Sequence, residues 1–418
     1  MDRRSFLLGA TALGACAAPG LRAAANDTLF IRASAIITSP TAEPMVDGAI
    51  LIRGGRIAGV GPALEPPPGA RVIDAHGGAV FAGFWNAHVH IFTHELLHAE
   101  RRSDAELTTQ LDRLSNRWGF TSVFDVASIL DNTQHIRDRI RAGAVRGPNI
   151  LSVGEPFFPL GGTPIYITDF LRAENLSFPE MANVEQAVAQ AERQLAAGAD
   201  GLKLFTGAIV GGAVGVLPMQ LDMARAVTEV AHRAGKPVFA HPSNAAGLDV
   251  AIEAGVDVLT HPAAMAGALS ANTIARMRAA NIALTPTLEL WEVEGRRFGV
   301  PPAAVDAEMR VAWGQLKDYS DAGGEILFGT DVGYTDATDT ARELMLLDMA
   351  GFDWRQKLAM LTTAPAARFG FAARKGRLAE GMDGDITILH ADPRQDSSGF
   401  SRVWYTIRGG EIIYAHTS

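Results

Sequence analysis

The sequence predicts an α/β protein: a (β/α)8 TIM barrel carrying a small β-sandwich domain formed by its N- and C-terminal segments. Three observations predict it. Short apolar runs at 83–88, 121–126, 149–154, 200–205, 237–241, 257–261, 282–286 and 325–330 alternate with helix-like stretches such as 183–197 and 219–234. Repeated βα units imply parallel strands joined by crossover helices, and eight of them suit a closed barrel. An open doubly wound sheet, the alternative, usually carries a Gly-rich phosphate turn after its first strand, and none follows 83–88. Finally, strand-like runs return at both ends of the chain, outside the alternating region.

In chain order, residues 1–25 read as an export signal rather than as part of the fold. Met1-Asp2-Arg3-Arg4-Ser5-Phe6-Leu7-Leu8 places two arginines before an apolar run, as a twin-arginine signal does; the basic region of an ordinary secretory signal is the alternative. Two processing sites compete. Leu13-Gly14-Ala15-Cys16 looks like a lipobox that would put a lipid anchor on Cys16, and Ala23-Ala24-Ala25 suits an ordinary signal peptidase. Both place the mature protein outside the cytoplasmic membrane, in the periplasm, with membrane attachment only through that lipid. Cys16 is the single cysteine, so no intramolecular disulfide forms.

Residues 29–77 hold strand-like runs at 29–37, 49–53 and 56–60, with Gly54-Gly55 as a hairpin signal. Residues 78–371 form the barrel. Residues 372–418 return to strands, with a second hairpin signal at Gly409-Gly410. The two flanks are expected to pair into one β domain.

The 418 residues carry 37 basic and 46 acidic side chains, a net charge of -9, with no basic tract. That argues against nucleic acid as a partner. No stretch after the N-terminus is long and apolar enough to span a bilayer. A homo-oligomer is left open.

Barrel enzymes place their chemistry at the C-terminal ends of the strands. There the sequence puts His88 and His90 (run 83–88), Lys203 (200–205), His241 (237–241), His261 (257–261) and Asp331 (325–330). On a strand, alternate residues share a face, so His88 and His90 aim two imidazoles at one point while Val89 packs the other way. Taken singly, each has a plain structural use: a hydrogen-bonded histidine, a helix-capping aspartate, a snorkelling lysine. Six such residues at one end of one barrel point instead to a metal site, since imidazole and carboxylate suit zinc and similar divalent ions.

Together these motifs resemble the amidohydrolase superfamily of metal-dependent hydrolases, in the branch of imidazolonepropionase-like proteins and Xaa-Pro dipeptidases. The resemblance runs from residue 29 to 415. It rests on Gly83-Phe84-Trp85-Asn86-Ala87-His88-Val89-His90, Gly198-Ala199-Asp200-Gly201-Leu202-Lys203, His241, His261, Gly329-Thr330-Asp331 and the tail 376–385. Two departures are visible: Asn86 where the family often has Asp, and Gly384 before Asp385 where Ala is usual. The resemblance implies that His88, His90 and Asp331 hold one divalent metal ion and His241 and His261 a second, with zinc the expected metal at both. Lys203, carboxylated by CO2, would bridge them. Burial of a lysine lowers its pKa and exposes the neutral amine that carboxylation needs. The two metals would acidify a bridging water, and Asp331 would act as general base and then acid.

Ring deaminases of this superfamily usually carry a carboxylate shortly after the strand 5 histidine. Here His241-Pro242-Ser243-Asn244-Ala245 has none. The expected reaction is hydrolysis of an amide or peptide-like C–N bond in a small or short peptide-like substrate, an N-acyl amino acid or a dipeptide. A cyclic amide hydrolase is the alternative. A metal-binding relative without catalysis is the reading from another class, and it is disfavoured because all six positions are intact. Phe157, Phe158, Gly161, Gly162 and Tyr166 after the third run, and Leu288, Leu290 and Trp291 after the seventh, either line an apolar pocket or pack on helices. His94 and His98, whose spacing would suit one helix face, are expected to face solvent or to sit behind the ligands rather than among them, and His76, His135, His232, His390 and His416 to be structural or exposed.

Overall fold

The computed structural model describes residues 28–416 apart from 395. The export segment, with its Cys16 and Ala23-Ala24-Ala25 alternatives, lies outside the described residues. Among the described residues, no helix is long and apolar enough to cross a membrane.

The two flanks pair into one seven-stranded sheet, ordered Glu411–Ala415, Val403–Arg408, Ile386–Leu389, Arg71–Ala82, Thr28–Ile36, Met45–Arg53, Arg56–Gly61. Arg71–Ala82 joins the ends of the chain, running parallel to Thr28–Ile36 and antiparallel to Ile386–Leu389. Its alternation divides two cores. Val80 and Ala82 pack with Ile31, Ile50, Ile386 and Ile407. Ala79 and Phe81 face the other way, where the Phe81, Phe84 and Phe400 rings meet at 5.9–6.0 Å and tie the sheet to the rest of the molecule. The departure at Gly384 has a steric reason. It lies between the two hairpin turns, donating its N–H to Gly55 and accepting from Gly410. A Cβ there would lie 2.8 Å from Ile52 Cγ2.

Eight parallel strands form two further sheets. Phe84–Val89, Phe120–Asp125 and Asn149–Ser152 make one; Leu202–Leu204, Val238–Ala240, Val258–Thr260, Ala283–Thr285 and Glu325–Ile326 make the other. Each lies within a predicted run or overlaps it, though most are shorter. Backbone hydrogen bonds join the edges of the two sheets. Phe157 donates to Lys203 and Phe205 to Phe157, at 2.8 and 3.0 Å; Ala87 donates to Phe328 and His90 to Val332, at 2.7 and 2.8 Å. The eighth run therefore continues to Val332 by hydrogen bonding, beyond its two regular strand residues.

The first strand departs from simple alternation. Its pairing with Phe120–Asp125 shifts register between Asn86 and Val89. Phe84 and Val89 both face the outer core, while Trp85 and Ala87 face the inner one with Phe124, Phe239 and Val258. An irregularity of this kind re-aims side chains, and here it moves His88 to the site side out of turn. The expectation that His94 and His98 share a helix face is corrected: 91–98 is turn, and the first helical residues are the single turn Ala99–Arg101.

Candidate metal centre and pocket

All six strand-end residues lie at the C-terminal ends of the parallel strands, lining one cavity of about 290 Å³. His88, Lys203 and Asp331 are almost fully buried, at 1, 2 and 3% exposure. His88 Nε2 lies 3.3 Å from His90 Nε2 and 3.1 Å from Asp331 Oδ1; His90 Nε2 is 2.7 Å from that oxygen. Tetrahedral zinc bonds of about 2.0–2.1 Å put neighbouring ligand atoms about 3.3 Å apart. On the other side, His261 Nε2 stands 3.9 Å from Asp331 Oδ2, and the His241 and His261 rings meet at 5.0 Å.

Close packing places these groups. Gly329 passes so near the first strand that a Cβ there would collide with Thr285 Cγ2 and lie 2.7 Å from His88 Cβ. His261 and Asp331 hold left-handed backbone, φ 76° and 61°, a conformation uncommon outside glycine, though Asp and His tolerate it better than most, and one that clusters at functional sites. Asn86 links the two sides of this junction: its amide donates to Thr330 Oγ1 at 2.8 Å and its carbonyl accepts from His88 N at 3.2 Å. The departure at 86 thus braces the backbone beside two candidate ligands.

The electrostatics favour a cation. Burial holds the imidazoles of His88 and His241 down at about 4 and 3, and that of His261 well below its usual value, so all three are neutral bases at pH 7. Burial would push the Asp331 carboxyl up, but the His88 and His90 rings outweigh it and hold it well below the carboxylate range. His90 Nδ1 lies 2.9 Å from the Ala127 carbonyl, and donating there leaves Nε2 as the lone-pair side facing the cavity. His261 Nδ1 is bonded to the Thr287 hydroxyl. His88 Nδ1 and Asp331 Oδ1, both buried, have no partner of hydrogen-bond geometry among the described residues. His88, His261 and Asp331 offer ligand atoms within 4.8 Å of one another. The donor set fits a divalent ion.

Lys203 donates to Thr260 Oγ1, which donates on to the Ala240 carbonyl. Burial brings its amine down to about 7, with Asp331 pulling the other way. A large neutral fraction at physiological pH is what reaction with CO2 requires.

Of the residues expected to line a pocket, Phe158, Tyr166, Leu290 and Trp291 do so. Phe157 and Leu288 are instead core residues, and the Gly161 N–H is bonded to Glu180. Sequence reasoning missed Phe92, Phe178, Glu294 and Tyr334. Phe92 and Tyr334 follow His90 and Asp331 by two and three positions on strand-end loops, a signal available in the sequence; Phe178 had none. Glu343 is buried and accepts the N–H groups of Leu288 and Glu289, each at 2.8 Å, so it holds the turn that presents Thr287 and Trp291. The remaining histidines sit apart from the cavity, as His94 with Glu174 and His232 with Asp257 illustrate.

A profile of the amidohydrolase family matches residues 79–413, a span that contains all six strand-end residues. The chain belongs to the amidohydrolase family. As an amidohydrolase it is a hydrolase acting on carbon–nitrogen bonds, and divalent metals are typical of its family. It is similar to a solved Xaa-Pro dipeptidase with bound methionine at TM-score 0.77 and 20% identity, covering 93% of this chain and 100% of that one. A putative prolidase from Bifidobacterium longum gives TM-score 0.77 and 24% identity over 93% and 95%. These likenesses concern the mixed α/β fold. An imidazolonepropionase from Salinispora arenicola (strain CNS-205) is 47% identical over 45 residues, which spans 11% of this chain and 12% of that protein.

Proposed function

We propose that this amidohydrolase is an exported binuclear enzyme that hydrolyses an amide or peptide-like C–N bond, with an N-acyl amino acid or a dipeptide as the starting substrate class. One observation carries the reading: four histidines, a buried lysine of lowered pKa and a buried, ionised aspartate converge at one end of the parallel strands, with His88 and His261 also buried. We read the eight strands as a closed barrel over 78–371. The seven-stranded sheet, whose strands come from 28–82 and 386–415, is read as the β-sandwich expected of 29–77 and 372–418. Hydrogen bonds along both sheet edges support the first reading, and the two-core alternation of Arg71–Ala82 the second.

His88, His90 and Asp331 would hold one ion, His241 and His261 another, with carboxylated Lys203 between them; zinc suits such nitrogen and oxygen donors. Bound divalent ions supply an acidified water and a Lewis acid for the scissile carbonyl. Asp331, ionised and buried, takes the proton from the attacking water and delivers it to the leaving nitrogen as the C–N bond breaks. Water is consumed, and a carboxylate and an amine are released. The Ala127 carbonyl and Thr287 hydroxyl keep the His90 and His261 rings turned toward the site.

The test is metal analysis together with turnover of N-acyl amino acids, dipeptides and lactams. About two divalent ions per chain and chelator-sensitive hydrolysis are expected; a metal-free chain with undiminished turnover would refute the reading. The short likeness to an imidazolonepropionase favours cyclic amides as the second reading, which the lactams score directly. Export to the periplasm is read from residues 1–25. The mature N-terminus decides its route: acylated Cys16 means lipid anchoring, and unmodified Asn26 means ordinary cleavage.

A further inference from the structure

We infer that the cavity selects amides whose substituents beyond the scissile bond are bulky, apolar and uncharged, and discriminates against a free carboxylate there. The inference rests on the hydrolase reading and moves its substrate class away from N-acyl amino acids and dipeptides, whose leaving amine carries a carboxylate, toward uncharged amides. One wall is aromatic: Phe158 packs on Phe205 at 4.6 Å, and Phe178 on Phe92 at 5.4 Å. The opposite wall carries Leu290 and Trp291, the Trp291 ring 6.1 Å from His261. Met265, at the mouth, is 60% exposed, so the apolar surface continues outward.

The charges beyond the strand-end set have the wrong sign for a carboxylate. Glu294 and Glu308 line the cavity, and among the described lining residues there is no arginine and no lysine other than Lys203. Arg297 is near but committed. Its guanidinium lies 3.2 Å from Glu294 Oε1 and sits over the Tyr334 ring at 5.1 Å. The Tyr334 hydroxyl donates to the same Glu294 oxygen at 2.6 Å, locking carboxylate, arginine and ring together. A substrate carboxylate placed beyond the strand-end set loses water, meets aromatic faces, Glu308 and a Glu294 already paired with Arg297, and gains no uncommitted side-chain cation among the described lining residues. A neutral aromatic group meets complementary rings and loses no comparable hydration.

The deciding pair is N-phenylacetyl-phenylalanine and N-(2-phenylethyl)-2-phenylacetamide, which differ only by the carboxylate. With the metal-loaded full chain, kcat/KM is expected to favour the uncharged amide by about 10-fold or more. Glu308→Arg, on an exposed helical position, is expected to shrink that ratio at least about threefold by placing a cation at the mouth. Equal or better cleavage of the carboxylate, or an unchanged ratio in Glu308→Arg, overturns the inference. Calorimetric binding of the same pair to the same holoenzyme is read in parallel. A binding preference for the uncharged amide without cleavage of either refutes the hydrolase reading alone; a reversed binding preference refutes the substrate class alone.

Discussion

The floor and the wall of the cavity are built on different principles. The floor is polar and rigid. Its six side chains project from strand ends whose backbones are hydrogen-bonded to neighbours, and their rings are turned by fixed partners such as the Ala127 carbonyl and Thr287. The wall is aromatic and comes from the segments that follow the eight parallel strands: Phe92, Phe178 and Tyr334 lie in loops, Phe158 in a two-residue strand and Trp291 in the helix Glu289–Arg297. Register between strands dictates where a floor atom lies, whereas ring packing between those segments dictates the wall. Reaction type and substrate choice are therefore separable, and substitutions in one region should leave the other's readout in place.

The largest expected effect breaks the floor. Asp331→Asn keeps a donor of the same shape and should retain most of the metal, yet lower kcat about 10²–10⁴-fold, the range of one acid–base group. Wild-type turnover of a verified substrate by this variant would remove Asp331 from its role. Next, Thr287→Val removes the partner of His261 Nδ1 and should weaken metal affinity about 10–100-fold, measured by competition with a chelator. The wall comes third. Trp291→Ala should cost about 10-fold in kcat/KM on an aromatic amide, equivalent to about 1.4 kcal/mol, and little on an acetyl amide. Metal content should not change; a loss of metal would show that wall and floor are coupled.

A separate effect, on stability rather than on turnover, concerns Glu343, which supports both regions through residues 287–291. Burial raises its carboxyl from 4.5 to about 8 against the pull of two backbone N–H groups. The folded chain then holds a proton that the unfolded chain releases between those values. Stability from this group is thus complete below pH 4.5 and falls as pH rises toward 8, by at most about 1.4 kcal/mol per pH unit. Thermal unfolding of Glu343→Gln across pH 5–8 should show a flatter slope than wild type. An equal slope would place the titrating group elsewhere.

Floor and wall also differ in how legible they are in the sequence. Strand ends announce themselves locally, as an apolar run closing on a histidine or aspartate, so the floor residues His88, His90, Lys203, His241, His261 and Asp331 can be named from spacing and residue type. The wall can be named only in part. Phe158, Tyr166, Leu290 and Trp291 belong to it, but Phe157 and Leu288, close by in the sequence, turn into the core. A loop residue's direction depends on backbone torsions that no periodicity encodes.

What the sequence determined by itself was the alternation of strands and helices, the chemistry of the strand-end residues and the family they resemble. These follow from side-chain type and spacing, which are local. Tertiary structure decided the rest. It set the register shift that turns His88 inward beside His90, the left-handed backbone at His261 and Asp331, and the burial that makes the His88, His241 and His261 imidazoles neutral and Lys203 a weak base. It also locked Arg297 onto Glu294, leaving an aromatic wall without a free side-chain cation among the described lining residues. Each of these depends on groups distant in the chain meeting in a low-dielectric interior, where contact and desolvation, rather than residue identity, fix orientation and charge.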